Sequence, residues 1–179
     1  AINENVFLLV RLFAHFSDRT VTSADFVSQV EEGVEGLYRA GVRYYEVHNE
    51  PNLQIEGWKH SWQDGGQFAG WFLEVVERMK ARFPEALFGY PGLSPGWDIS
   101  GQRMDSWAFL QQSEEAALSA DWMGCHCYWA SDADMLRPGG GLVYSEYRRR
   151  YPDKLLFITE FSNPSSEAAP RVKGQQYVE

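Results

Sequence analysis

The chain has 179 residues and a formal net charge of −9 at pH 7. Its 44% apolar and 15% aromatic residues are typical of a globular domain and exclude a disordered chain, which has too few apolar residues to form a core. The acidic balance argues against binding to nucleic acid or to an anionic membrane, because both need clustered Lys and Arg side chains. The length suits one domain covering residues 1–179.

The sequence carries no membrane or targeting signal that we recognise. No apolar run approaches the roughly 18 residues that a membrane span needs, and the first residues lack the basic start and apolar centre of a signal peptide. Because a signal can be removed after export, secretion stays open. Cys125 and Cys127 are one residue apart in a strand-like run, so we predict core thiols rather than a disulfide or a zinc pair.

Apolar runs alternate with amphipathic segments along the chain. Five runs predict strands: Asn5–Phe13, the segment from Arg43 to Glu50, Ala86–Tyr90, Asp121–Trp129 and Leu155–Glu160. Four segments predict helices: Ser23–Ala40, with Ser23 as N-cap and Gly41 as the terminating glycine, then Gly66–Phe83, Ser106–Ala120 and Gly141–Tyr151. The tail beyond Pro164 can begin a further helix. This alternation indicates βα units and a parallel sheet, closed as a barrel or open.

Two glutamates stand where predicted strands end. Glu50 precedes Pro51, which disfavours a helical conformation for the residue before it, and Glu160 precedes a loop that starts at Ser162. In parallel α/β folds the functional groups gather at the carboxyl ends of the strands. Side-chain alternation puts His126 and Tyr128 on one face of their strand, so the sequence predicts that these side chains meet the two glutamates.

Other polar residues on these strands have simpler interpretations. Glu46 on the second strand and Arg11 on the first are predicted to form an internal ion pair, because an unpaired charge in a barrel interior is costly. His48 is interpreted either as a site residue or as an imidazole hydrogen-bonded in a polar rim. No Gly-x-Gly-x-x-Gly or phosphate loop follows any strand, so the nucleotide-binding form of an open sheet lacks its phosphate site.

Three strand ends resemble those of a known enzyme group. Tyr45-Glu-Val-His-Asn-Glu-Pro51 resembles the Asn-Glu-Pro strand of retaining glycoside hydrolases of the large (β/α)8 clan that includes cellulases, mannanases and β-xylosidases. Leu156-Phe-Ile-Thr-Glu-Phe161 is similar to the nucleophile strand of these enzymes, and His126-Cys-Tyr128 resembles the His-x-Tyr strand between them. The resemblance implies an α/β fold of the TIM (β/α)8 type, of which this chain covers about strands 3 to 7.

The resemblance also implies roles for individual residues. Glu50 would be the general acid and base, and Glu160 the nucleophile, in cleavage of a β-linked oligo- or polysaccharide without any cofactor or metal. Asn49 would bind the sugar 2-hydroxyl, Tyr128 would hold the nucleophile carboxylate, and His126 would line the site. Such a mechanism needs one protonated and one ionised carboxyl, roughly 5–5.5 Å apart.

Tryptophans in the predicted loops could stack on sugar rings, whose C–H faces are apolar. Trp129 beside Tyr128 is the strongest candidate, and packing within the loops is the alternative. The loop tryptophans are Trp58, Trp62, Trp97 and Trp129, whereas Trp71 and Trp107 are predicted to lie in the helix core.

The chain also departs from these enzymes, which have eight strands. The absent strands supply, in that group, an arginine near the nucleophile and often an aromatic floor. A fragment of a longer protein, a reduced barrel that closes by association with the missing segments or with itself, and an incomplete sequence are the three explanations. The first is preferred, and the isolated chain is then expected to be a poor catalyst. The alternative functions are a non-catalytic carbohydrate-binding relic and a metal-dependent hydrolase using His48, Glu50, His126 and Glu160.

Overall fold

The computed structural model describes residues 6–16 and 19–178. Within these residues five strands form: β1 (Leu9–Leu12), β2 (Tyr44–Val47), β3 (Leu87–Tyr90), β4 (Trp122–Tyr128) and β5 (Leu155–Ser162). The helices are α1 (Ser23–Arg39), α2 (Gly65–Arg82), α3 (Ser106–Gln112), α4 (Glu114–Ser119), α5 (Asp132–Met135), α6 (Tyr144–Arg150) and α7 (Pro170–Gln176). The five predicted strands are confirmed, although Asn5, the predicted start of the first, lies outside the described residues.

The strands form one parallel sheet in the order β1-β2-β3-β4-β5, so every strand lies beside its neighbour in sequence. The sheet is curled, as contacts between side chains at its two edges show. The ring of Phe7, just before β1, stacks on that of Phe157 in β5 at 5.5 Å between centroids, and Arg11 bonds to Glu160. The fold is therefore a partial (β/α)8-type barrel, as the sequence predicted.

Helix α1 shows how local sequence sets the boundaries. The N-cap is Thr22 rather than the predicted Ser23, since the Thr22 hydroxyl accepts from the Asp25 backbone and the Asp25 carboxylate accepts from the Thr22 backbone. This reciprocal capping box satisfies two orphan amides of the first turn. The helix stops before Gly41, whose φ of 98° is a left-handed conformation that glycine adopts without steric cost.

The segment predicted as one helix over Ser106–Ala120 is two helices, α3 and α4, which meet at Ser113. The Ser113 hydroxyl is buried and lies 2.6 Å from the Tyr90 hydroxyl and 2.8 Å from the Phe109 carbonyl oxygen. Such side-chain bonds compete with the regular helical pattern and bend the chain. Periodicity does not show this break, because both helices bury the same face.

The core lies between the sheet and the helices. Aromatic side chains of α2 and the outward face of β4 contribute to it, and the predicted core thiols Cys125 and Cys127 are both free and buried there. None of the helices in the described ranges is long and apolar enough to cross a bilayer. The loops at the carboxyl ends of the strands carry polar residues.

Candidate active site

Glu50 lies on a tight turn that begins where β2 ends. The strand stops at Val47, so Glu50 stands beyond the strand end rather than on it. Its φ is 34° and that of His48 is 73°, both in the left-handed region that costs non-glycine residues free energy and is found most often at functional sites. Strand β1 and the loop after β3 hold this turn: the His48 amide donates to the Leu12 carbonyl at 2.8 Å, and the Glu50 amide donates to the Gly92 carbonyl at 3.1 Å.

Glu160 lies near the end of β5 with two donors on its carboxylate. The Tyr128 hydroxyl and the Arg11 guanidinium both donate to it, one to each oxygen. Burial acts to raise the pKa of Glu160, but these two hydrogen bonds, together with the neighbouring His126 and the charge of Arg11, hold the pKa below its usual value. Burial and the Glu160 carboxylate raise the pKa of Tyr128, which keeps the phenol protonated.

His126 lies between the two glutamates and is fully buried. Its Nδ1 is 2.9 Å from Glu50 Oε1, and its Nε2 is 3.6 Å from Glu160 Oε1. Nε2 also lies 3.2 Å from a terminal nitrogen of Arg11. Because a guanidinium only donates, Nε2 is the acceptor and the ring proton sits on Nδ1, from which it is donated to Glu50. Both carboxyls therefore lie against this one imidazole.

The position of His126 depends on a glycine in the neighbouring loop. A Cβ atom at Gly92 would lie 2.2 Å from Cδ2 of His126, well inside van der Waals contact. Only glycine therefore leaves room for the imidazole at this point.

Arg11 joins more groups than the predicted ion pair. The pair itself is present, since Arg11 Nε donates to Glu46 Oε2 at 2.8 Å, and Glu46 is 1% exposed. The other Glu46 oxygen accepts from the Gly92 amide at 3.0 Å and from the Thr159 hydroxyl at 2.8 Å. Arg11 in addition reaches Glu160 and His126, so the arginine beside the predicted nucleophile comes from β1 of this chain.

Asn49 and His48 have partners that the sequence did not predict. Asn49 Nδ2 donates to Glu56 Oε1 at 3.2 Å. His48 is not in a polar rim: it is fully buried among aromatic rings, the nearest being Phe16 at 4.2 Å between centroids. Its Nε2 is bonded to the Glu56 carbonyl oxygen at 2.7 Å. The alternative interpretation of His48 as a metal ligand beside the other site residues therefore fails.

The tryptophans divide by burial. Trp62 is fully buried and donates to the Pro51 carbonyl at 2.7 Å, so its role is loop packing. Trp97 is 83% exposed. Trp129 is 7% exposed, and its indole N–H is bonded to Gln176 at 2.9 Å. Trp107 is only partly buried against the core, so the prediction that it is a core residue was incomplete.

Two cavities adjoin Tyr128. The larger, of about 680 Å³, is lined by Glu50 and by Trp97, Trp107 and Trp129. The smaller, of about 400 Å³, is lined by Glu160 and residues of the loop that follows β5. Each glutamate thus lines its own cavity, and Tyr128 lines both. Ligand sites of proteins are commonly of this size and aromatic composition.

Imidazole and carboxylate groups, which are common metal ligands, meet at this site. Within residues 6–16 and 19–178, no group of three or more His, Cys, Asp or Glu side chains is arranged to hold a metal ion. The nitrogens of His126 contact Glu50, Glu160 and Arg11, and a cation such as Arg11 competes with a metal for the same carboxylates.

Comparison with known proteins gives likeness at the level of fold. No protein-family model and no curated protein sequence matches the chain. A monomeric β-xylosidase from Caulobacter crescentus CB15 matches in structure with a TM-score of 0.57 and 18% identity, over 88% of this chain. This chain spans 38% of the xylosidase chain. A family 51 α-L-arabinofuranosidase from Bifidobacterium longum has a TM-score of 0.42 and 13% identity, over 69% of this chain and 27% of its own.

The similarity to the arabinofuranosidase is too weak to support an argument, and the similarity to the xylosidase concerns the fold alone. At this identity the xylosidase says nothing about which residues act in this chain. The chain thus has the fold of a partial, glycoside-hydrolase-like (β/α) barrel.

Proposed function

We propose that the protein is a glycoside hydrolase that cleaves a β-linked sugar by a retaining mechanism, with Glu50 as acid and base and Glu160 as nucleophile. The observation that carries the proposal is the meeting of both glutamates at one buried imidazole, which donates to Glu50 and has its Nε2 at 3.6 Å from Glu160. Glycoside hydrolysis needs two carboxyl groups on opposite sides of the scissile bond and in different protonation states. Their surroundings differ, since Tyr128 and Arg11 both donate to Glu160. His126 instead donates to Glu50.

The environment of Glu160 suits a nucleophile. Its carboxylate carries hydrogen bonds from Tyr128 and Arg11, and its pKa is lowered, so it is ionised near neutral pH. In the first step the carboxylate attacks the anomeric carbon while the bond from that carbon to the leaving oxygen breaks. The product of this step is a glycosyl ester of Glu160.

Glu50 is suited to moving the proton. Its Oε1 accepts from His126, which leaves Oε2 as the oxygen that carries the acidic proton. Glu50 gives this proton to the departing oxygen, then takes a proton from the water that attacks the glycosyl ester. Because Glu50 lines the larger cavity and Glu160 the smaller, we assign the leaving group to the first and the sugar that is attacked to the second.

A nucleophile rescue tests this proposal. The parent chain is screened with 4-nitrophenyl β-glycosides, and the Glu160→Gly and Glu50→Ala variants are assayed with and without azide. Azide should restore turnover in both variants, giving the α-glycosyl azide with Glu160→Gly and the β-glycosyl azide with Glu50→Ala. An inverted first product from the parent, seen by proton NMR, would rule out the retaining mechanism.

The competing proposal is a carbohydrate-binding relic. Sugar affinity by calorimetry that is unchanged in Glu160→Gly, together with a parent that turns over none of the glycosides, would favour it over the enzyme.

We also propose that catalysis improves when the barrel is completed by further β/α segments or by association of copies. In the described chain β1 pairs with β2 alone and β5 with β4 alone, so each outer strand presents one free edge. Turnover by the isolated 179-residue chain at the rate of a complete barrel enzyme would refute this.

A further inference from the structure

A further carboxyl, that of Glu56, contacts Asn49, the residue that precedes Glu50. It ends the short 3-10 turn Gln54–Glu56 that follows β2, and its side chain is 15% exposed. The next residue is Gly57, with a φ of 114°. A Cβ atom there would lie 2.8 Å from ring atoms of both Phe16 and Trp62. The turn that carries Glu56 is therefore fixed by packing as well as by backbone conformation.

Glu56 holds both residues that precede Glu50. Its carboxylate accepts from Asn49 Nδ2 at 3.2 Å, and its backbone oxygen lies 2.7 Å from His48 Nε2. A carbonyl oxygen only accepts, so His48 carries its proton on Nε2. Burial lowers the pKa of His48 to about 4, and the ring is neutral. His48 thus ties down the turn without adding a charge.

The Asn49 amide is half satisfied. Its Oδ1 is buried and has no hydrogen-bond partner among the described residues. An ionised carboxylate has no proton to donate, so it can bond only the nitrogen of this amide, whereas a protonated carboxyl could donate to the oxygen. An ionised Glu56 therefore holds the Asn49 amide by its nitrogen, whereas a protonated Glu56 could bond either end.

We propose that Glu56 is a positioning residue, whose ionised carboxylate holds the Asn49 amide by its nitrogen and so fixes the orientation of Asn49 beside Glu50. This inference rests on the proposed function, in which Asn49 contacts the sugar. Glu56 itself contacts neither the sugar nor the reacting atoms, and it acts through Asn49.

Burial and the neighbouring charges both act on the pKa of Glu56. Burial raises the pKa of Glu56, the Asn49 bond lowers it, and the neighbouring Glu50 carboxylate raises it again. Arg11 on β1 and His15 in the loop after β1 act in the lowering direction, and His48 is 3.8 Å from its carboxylate. The outcome is a pKa above the usual value.

A double-mutant cycle tests whether Glu56 acts through Asn49. The variants Glu56→Leu and Glu56→Gln are made in the parent and in the Asn49→Ala background, and kcat/KM is measured with the best aryl glycoside. Glu56→Leu should lower kcat/KM by about tenfold to 100-fold in the parent, the usual worth of a hydrogen bond to a charged group. In the Asn49→Ala background the loss should shrink to less than about threefold.

The isosteric variant separates hydrogen bonding from packing. Glu56→Gln keeps an amide oxygen that accepts from Asn49, so it should retain activity to within about fivefold, on the scale of a neutral hydrogen bond. An equal loss from Glu56→Leu in both backgrounds, or a loss from Glu56→Gln as large as that from Glu56→Leu, would overturn the proposal.

A second measurement needs no turnover and separates this inference from the proposed function. The side-chain amide signals of Asn49 are followed by ¹⁵N–¹H NMR against pH in the parent and in Glu56→Gln. They should shift through the titration of Glu56 in the parent, and this part of the shift should be absent in the variant. Identical titrations in both proteins would refute the positioning role. Titration by Glu56 in a protein that turns over no glycoside would instead refute the glycosidase.

Discussion

Replacing Arg11 by Met removes a cation that contacts two carboxylates and an imidazole inside the curled sheet. Methionine keeps much of the apolar stem of arginine but not its charge or its donors. In the native protein Arg11 donates to Glu46 and Glu160 and contacts His126. The variant therefore tests whether the carboxylates beneath the site are stabilised by this one side chain.

The expected cost follows from the burial of Glu46. After the substitution Glu46 keeps two neutral donors, the Gly92 amide and the Thr159 hydroxyl, but it is 1% exposed and has lost its counter-charge. Breaking a buried ion pair on one side costs about 3–5 kcal/mol. Because the Arg11 side chain is 26% exposed, we expect the lower end, about 3 kcal/mol, from a total of about 5–15 kcal/mol for a domain.

The assay is urea unfolding followed by circular dichroism, at pH 7 and fixed salt. Arg39→Met is the matched control, since Arg39 pairs with Glu35 on the exposed surface of α1 and should cost no more than about 0.5 kcal/mol. The double variant Arg11→Met with Glu46→Gln removes both charges and should recover about 1–3 kcal/mol of the loss. If Arg11→Met costs no more than the control, or if the double variant loses the full sum of the single losses, the reasoning is wrong.

Three further predictions concern the site. Tyr128→Phe removes a donor that lowers the pKa of Glu160, so its acidic limb of kcat/KM should move to higher pH, and an unmoved limb would separate Tyr128 from the nucleophile. Gly92→Ala should displace His126 and lower kcat by about 100-fold with an unchanged circular dichroism spectrum. The folded-state pKa of Glu56 is raised, so its ionisation costs stability as pH rises through that pKa. Glu56→Gln should therefore be more stable than the parent at pH 8 and lose this advantage at pH 4 in urea unfolding; an advantage that does not depend on pH would contradict the cause.

The order of the elements could be predicted because each parallel strand is covered on both faces, which gives apolar runs separated by amphipathic helices. The meeting of Glu160, His126 and Tyr128 also followed, since side-chain alternation and parallel pairing bring the ends of β4 and β5 together. Glu50 reaches His126 from the turn that follows β2.

Other features depend on tertiary structure and have no local pattern. The contact of Arg11 with Glu160 joins residues of the two outermost strands, and it exists because the sheet curls. Trp62 and Trp97 occupy similar polar loops in the sequence, yet one is fully buried and the other is 83% exposed. The difference arises at Gly57, where the absence of a side chain lets the Trp62 ring approach the backbone. The sequence did not predict a role for Glu56 either, because its contacts form only when the turn after β2 has packed.

The contacts that define the site run across the sheet rather than along it. Strand pairing joins β1 to β2 and β4 to β5, but it does not set how near β1 comes to β5. That distance is held by side chains, with Arg11 on Glu160 at one level and Phe7 on Phe157 at another. Since the lowered pKa of Glu160 depends on Arg11, the curl of the sheet and the ionisation of the proposed nucleophile are coupled.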